Sequence, residues 1–429
     1  MDPSLSQFGR EMAQLTGVRA IMKDIIETLR SGGGRDWIDL SAGNPVILPE
    51  LEQLWRDCTA ELTASSAYGE AVCRYGASQG YEPLIEAIVE DFNRRYGCNL
   101  SDRNVLIAPG SQALYFYAAN AFGGYDADGR LKPVLLPLSP EYTGYEGVSL
   151  YKEVLQAQAP GLEVDEAAHR FKYRPDLDGL PLGEQTGCLM LSRPCNPSGN
   201  VLSADELAQL ADRAAAYNVP VVVDAAYASP YPGLDYEPAP PLLRDNIIHC
   251  LSLSKAGLPG ERVGIAIGHP DLIQILESFQ TNLCIHSSRY GQAIAARAIT
   301  SGHLGEVCEQ VVRPHYRRKF ELLAQTLDAT MPDSIPWFLH RGEGAIFGWL
   351  WFRDLPVSDW DLYQELKAAD VIAVPGSSFF PGLRQAWSHK QQCVRVSLTA
   401  SEADIERGTQ RLAETLQRVY RPSVARSTR

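Results

Sequence analysis

From about residue 100 this chain alternates short, uninterrupted apolar runs with helical stretches, and that alternation restricts the fold more than any other feature. The runs lie at 105–108, 134–138, 188–191, 221–223, 247–254 and 263–267. A helix over 112–122 separates the first two. Another opens at Ser203, where Ser203 and Glu206 form a capping box ahead of Leu207, Leu210, Ala211 and Ala214. Continuous apolar strands interleaved with helices predict an α/β protein whose mostly parallel sheet is covered on both faces. In such a sheet ligands collect at the carboxyl ends of the strands. Pro109-Gly110-Ser111, Asp224 and Ser254-Lys255 all fall there.

The remainder predicts a second, smaller α/β unit. Helices are expected at 306–329 and 360–368 and from Ser401 onward, with strands at 345–352, 371–374 and 394–398. Near the start, Val18, Ile21, Met22, Ile25, Ile26 and Leu29 make a helical stripe that Gly32-Gly33-Gly34 should end. The expected division is a large domain over 56–325 and a small domain from 1–55 and 326–429. No period repeats, which excludes a solenoid.

Charge narrows the partners. The 429 residues carry 39 Lys and Arg against 52 Asp and Glu, a formal charge of -13. That balance opposes general attraction to nucleic acid or anionic membranes. No run approaches the 18 apolar residues of a membrane span, and the amino terminus lacks the pattern of a signal peptide. The nine cysteines show no zinc-ligand spacing. They read as reduced thiols, so no metal is expected and a cytoplasmic location is.

The most informative run is Ser252-Leu253-Ser254-Lys255-Ala256-Gly257-Leu258-Pro259-Gly260-Glu261-Arg262-Val263-Gly264. It gathers two hydroxyls, an amine and a guanidinium about a strand end. A partly desolvated lysine near a second cation has a lowered pKa, as Schiff-base formation requires. Ser252, Ser254 and Arg262 can hold a phosphate dianion. Upstream, Asp224-Ala225-Ala226-Tyr227 follows three valines, and Arg193-Pro194-Cys195-Asn196-Pro197-Ser198-Gly199 is a turn.

Taken together and in this order, these segments resemble the class I/II pyridoxal-phosphate-dependent aminotransferases, fold type I of the aspartate aminotransferase superfamily. The resemblance runs from Phe8-Gly9 to the last helix. It implies a seven-stranded central sheet, pyridoxal 5'-phosphate as cofactor, and Lys255 as its point of covalent attachment. Asp224 would face the pyridine nitrogen, with Tyr227 and Asn196 at the phenolic oxygen. Tyr142 would stack on the ring, and Ser111, Gln112, Ser252, Ser254 and Arg262 would bind phosphate. Tyr75 would reach the phosphate of a partner subunit, so a homodimer is implied. Ser198 stands where the family usually has threonine, which keeps the hydroxyl.

A charged Arg395 inside the apolar run Cys393-Val394-Arg395-Val396-Ser397 needs an acidic neighbour or a ligand. The resemblance makes it the substrate carboxylate site, with the Gly43 backbone and Asn196 beside it. The implied reaction exchanges an amino group between a neutral amino acid, valine or alanine, and a 2-oxo acid, pyruvate or 3-methyl-2-oxobutanoate. Alternatives are an aminotransferase for 2-aminoadipate or aromatic amino acids, a lyase or decarboxylase on the same cofactor, and a cofactor-binding regulator. Arg289 is the possible second cation for a dicarboxylic substrate, although a structural or interface role is the plainer expectation.

Overall fold

A computed structural model describes residues 4–13, 18–31 and 35–421. Its centre is a seven-stranded sheet in the order Val105–Pro109, Val263–Ile267, Ile247–Ser252, Val221–Asp224, Cys188–Ser192, Val134–Leu136 and Leu155–Ala157. Only Val263–Ile267 runs antiparallel to its neighbours; the other pairings are parallel. The α/β class and the mostly parallel seven-stranded sheet are thus as expected. Val221, Val222 and Val223 are all buried, because helices cover both faces. The strands leave Asp224 level with Ser192 on one side and Cys250 on the other. That register sets the carboxylate on the rim.

Two helix starts behave as their sequences dictate. The Ala204–Ala215 helix is capped by Ser203, whose hydroxyl accepts from Glu206 N–H while the Glu206 carboxylate accepts from Ser203 N–H. The Ser111–Phe122 helix begins directly after its strand, at Gly110 with φ 86°. Predicted strands at 134–138 and 247–254 stop early, at Leu136 and Ser252, the first just before Pro137. The predicted 306–329 helix is interrupted. His303–Val307 passes through a π turn at Cys308–Val312 into Arg313–Thr330, where Pro314 supplies no backbone N–H.

A second, six-stranded sheet has the order Val374–Pro375, Cys393–Ser397, Phe347–Phe352, Trp337–His340, Arg170–Arg174 and Gly161–Asp165. The expected strands at 345–352 and 394–398 are both here. The last two strands, Gly161–Asp165 and Arg170–Arg174, come from mid-chain, within the stretch expected to belong to the large domain. A further parallel pair joins Ile38–Asp39 to Val371–Ile372.

The helix expected near the start spans Val18–Ser31. Ile21 and Ile25 are buried, whereas Met22, Ile26 and Leu29 face outward. The stripe is therefore wider than the face that packs. The glycines expected to end this helix lie outside the described residues. Among the described residues, no helix is long and apolar enough to cross a membrane.

Candidate active site

Four strand ends and one strand of the second sheet converge on a single cluster. Lys255 lies three residues beyond the Ile247–Ser252 strand, and its Nζ donates to the Gly43 carbonyl at 2.6 Å. The amine stands 5.8 Å from the centre of the Tyr227 ring. Burial, then the nearby Arg395 and Arg262 guanidinium groups, hold the amine down to about 8, against an upward pull from Asp224. The lowered amine expected from the sequence is present, with desolvation as its main cause.

Asp224 is buried at the end of its strand. Its Oδ1 accepts from Ala226 N–H at 3.0 Å and its Oδ2 from the Tyr145 hydroxyl at 2.9 Å. Burial pushes this carboxyl up, while Tyr115, the Ala226 amide, Tyr145 and Lys255 pull it down; the net direction is upward. Glu141, Tyr145 and Ser192 carry no signal of a role in the sequence. Nothing local marked them, since they meet only when separate strands align.

Opposite the helix start, Arg262 sits at φ 53° and donates to Ser254 Oγ at 3.2 Å. Ser252 Oγ in turn donates to Ser254 Oγ at 3.0 Å. A Cβ on Gly110 would come within 2.3 Å of the Arg262 guanidinium. One on Gly264 would meet the Gly110 carbonyl carbon at 2.4 Å and the Ser111 amide nitrogen at 2.5 Å. The positive φ at Gly110 and the backbone contact at Gly264 favour glycine at both positions, which lets the Arg262 guanidinium, itself bonded to Ser254, approach the start of the Ser111–Phe122 helix with its free amides. Such a donor set suits a phosphate dianion. Gln112 is at the same helix start and donates to the Gly144 carbonyl at 3.2 Å. The Tyr142 ring lies against Gly144 and meets Tyr145 edge-on at 5.5 Å.

Arg395 is buried on the Cys393–Ser397 strand, level with Trp349. It donates to Asn196 Oδ1 and to the Ser41 carbonyl, both at 3.0 Å. Its guanidinium stacks 4.1 Å from the Phe347 ring centre and 4.8 Å from that of Phe379. Burial lowers it to about 10, and its Nε has no hydrogen-bond partner. Both partners are neutral oxygens, so the guanidinium is left with an open donor and an uncompensated charge.

The geometry gives Gly43 and Arg289 definite places. Gly43 needs no glycine geometry: its φ is not positive, and an added Cβ would meet nothing within 4 Å. Its carbonyl engages Lys255, while Ser41 provides the backbone oxygen at Arg395. Arg289 is anchored on the Glu70 carbonyl at 2.9 Å and over the Tyr81 ring at 5.0 Å, with the Arg74 and Tyr75 carbonyls nearby. It therefore fixes the loop that carries Tyr75. Tyr75 itself is 84% exposed, with its ring against His286, and stands apart from the cluster. Among the described residues, no group of His, Cys, Asp and Glu is arranged to hold a metal ion.

The family model for aminotransferase class I and II matches residues 35–412. Valine–pyruvate aminotransferase of Escherichia coli K12 is 35% identical over 98% of this chain and 100% of its own length. The crystal structure of valine-pyruvate aminotransferase from Salmonella typhimurium LT2 superposes with a TM-score of 0.84 at 34% identity, covering 93% of this chain and 99% of the other. A Thermus thermophilus aspartate aminotransferase mutant shares the fold alone, with a TM-score of 0.77 at 21% identity over 96% of this chain and 100% of its own.

Proposed function

The chain belongs to the class I and II aminotransferases, and from that premise we propose that it exchanges the amino group between valine or alanine and pyruvate or 3-methyl-2-oxobutanoate, with pyridoxal 5'-phosphate as cofactor. The observation that carries this reading is the convergence of Lys255, Asp224 and the half-satisfied Arg395 in one cluster beside an anion cradle.

The residues fit the cofactor. Ser111, Gln112, Ser252, Ser254 and Arg262 would hold its phosphate, Asp224 its ring nitrogen, and Tyr142, Asn196 and Tyr227 its ring and phenolic oxygen. When bound, the group supplies an electron sink for the bond broken at the substrate Cα. The protein does the rest. Arg395 pairs with the substrate carboxylate through its free donor, with Asn196 keeping the guanidinium plane fixed. Lys255, neutral above about pH 8, takes the Cα proton on Nζ and later returns it. Buried Asp224 holds negative charge where the sink needs it.

Neutral side chains are favoured because Arg289 is engaged on backbone carbonyls and because Phe347 and Phe379 form the surroundings of Arg395. The valine–pyruvate enzyme of Escherichia coli, similar over its whole length, points the same way. We also read the protein as a cytoplasmic homodimer in which Tyr75 serves the neighbouring site, supported by that ring's exposure and by nine unpaired cysteines. The division into a unit over 56–325 and one from 1–55 and 326–429 is retained, with residues 161–174 joining the second sheet.

A single-turnover screen of the holoenzyme over common amino acids tests the reading. Valine and alanine should convert the cofactor to its amine form and release an oxo acid. Conversion only by dicarboxylic or aromatic donors would overturn the substrate assignment, and release of CO₂ or ammonia would overturn amino transfer. Sedimentation at micromolar concentration tests the dimer, with a monomer as the contrary result.

A further inference from the structure

Four buried side chains form a chain that ends on Asp224, and the reaction above uses only that end: Glu141 and Tyr145 follow the Val134–Leu136 strand, while Ser192 and Asp224 each close a strand. Glu141 and Tyr145 are fully buried, and Ser192 and Asp224 nearly so. The Glu141 Oε2 meets the Ser192 hydroxyl; Ser192 Oγ lies 3.0 Å from Tyr145 Oη; and Tyr145 Oη lies 2.9 Å from Asp224 Oδ2. Separately, Ser192 N–H donates to Glu141 Oε1 at 2.9 Å.

These three oxygen–oxygen contacts need three hydrogens. Each hydroxyl brings one, so two are accounted for. The third must be a carboxyl proton, on Glu141 or on Asp224. With both acids ionised, each hydroxyl would turn to its own carboxylate, and the Tyr145–Ser192 contact would hold lone pairs only. Two anions linked through a dry interior also disfavour one another.

The surroundings decide which acid keeps the proton. Glu141 is faced by Ser192, the Tyr142 amide, Cys195 and Asp224, with no cation among them. Asp224 is faced by Tyr115, Tyr145, the Ala226 amide and the Lys255 amine. We propose that Glu141 is a positioning residue that holds the shared proton, orienting the Ser192 and Tyr145 hydroxyls in one direction so that Asp224 stays the single ionised carboxylate. Burial, which raises the Glu141 carboxyl to about 8, agrees with this placement. The proton's place rests on the buried chain alone. Its consequence for the cofactor ring rests on the function proposed above.

Difference infrared spectroscopy of the holoenzyme at neutral pH reads the proton directly. A carboxylic-acid carbonyl band should move on ¹³C-glutamate labelling, stay unmoved on ¹³C-aspartate labelling, and vanish in Glu141→Gln. No acid band, or one sensitive to aspartate, would overturn the proposal, and the labelling needs no variant to fold. Stability gives a second readout. Folded Glu141 keeps its proton to about pH 8, whereas a free glutamate releases it near 4.3, so wild type loses stability as pH rises between those values. Glu141→Gln lacks that slope, and the two unfolding constants should diverge by up to about tenfold per pH unit in favour of the variant. Parallel profiles would overturn the assignment. In Ser192→Ala the pH at which the cofactor's visible band shifts should change; an unchanged titration would show that Glu141 does not act on Asp224, even with its proton in place.

Discussion

Asp224 and Arg395 are both buried charges that act on the Lys255 amine, yet the protein treats them oppositely. Asp224 is surrounded by donors: an amide, a tyrosine hydroxyl and a nearby amine. Arg395 has only two neutral oxygens, two aromatic faces and an Nε without a partner. The anionic end already accepts hydrogen bonds from the protein, whereas the cationic end keeps a nitrogen without a partner. The difference predicts that changes at Asp224 act on turnover, while changes at Arg395 act on substrate affinity.

The largest effect removes the group both charges act upon. Lys255→Ala should lower amino transfer by at least about a thousandfold and abolish the cofactor's visible absorbance after treatment with phenylhydrazine. A stripped and reconstituted variant that regained the band would place the attachment elsewhere. Next, Asp224→Asn keeps the shape and removes the charge; kcat should fall about a hundredfold to a thousandfold with KM for valine little altered. Arg395→Lys replaces a planar fork by a point charge. It should lower kcat/KM about a hundredfold, chiefly through KM and equally for amino and oxo acids. If the kcat and KM effects were exchanged between these two variants, the contrast drawn above would be wrong.

The smallest test is electrostatic. Because the folded amine is lowered to about 8, capture of pyridoxal 5'-phosphate by the apoprotein should quicken about tenfold per pH unit below that value and level off above it. In Arg395→Gln the break should move to higher pH, since one of the cations that destabilise protonated Lys255 is gone. An unmoved break would mean that burial alone sets the amine.

The central sheet was legible because each of its main strands is a continuous apolar run, as at Val221–Val223. The site was legible wherever its residues are neighbours in sequence, as in the run from Ser252 to Gly264. What stayed hidden depends on register. Glu141 and Tyr145, on the segment after the Val134–Leu136 strand, look ordinary until parallel pairing sets that segment beside Ser192 at the end of its own strand. Phe347 and Phe379 flank Arg395 only through the second sheet. Gly161–Asp165 and Arg170–Arg174 are rich in charge and carry no apolar run, so the sequence offered no strand there. At Gly43 an added Cβ would meet nothing within 4 Å, and the carbonyl that engages Lys255 is one any residue would carry.

The mid-chain hairpin has a practical outcome for anyone dissecting this enzyme. A fragment starting at residue 326 would lack the two strands that continue its own sheet, because Leu339 and His340 pair with Arg170 and Phe171. Its Trp337–His340 edge would be bare, apolar and open to pairing with other copies. Splitting the chain there should yield aggregates, whereas a permutation that kept residues 161–174 joined to the carboxyl-terminal half would give that sheet the chance to assemble alone.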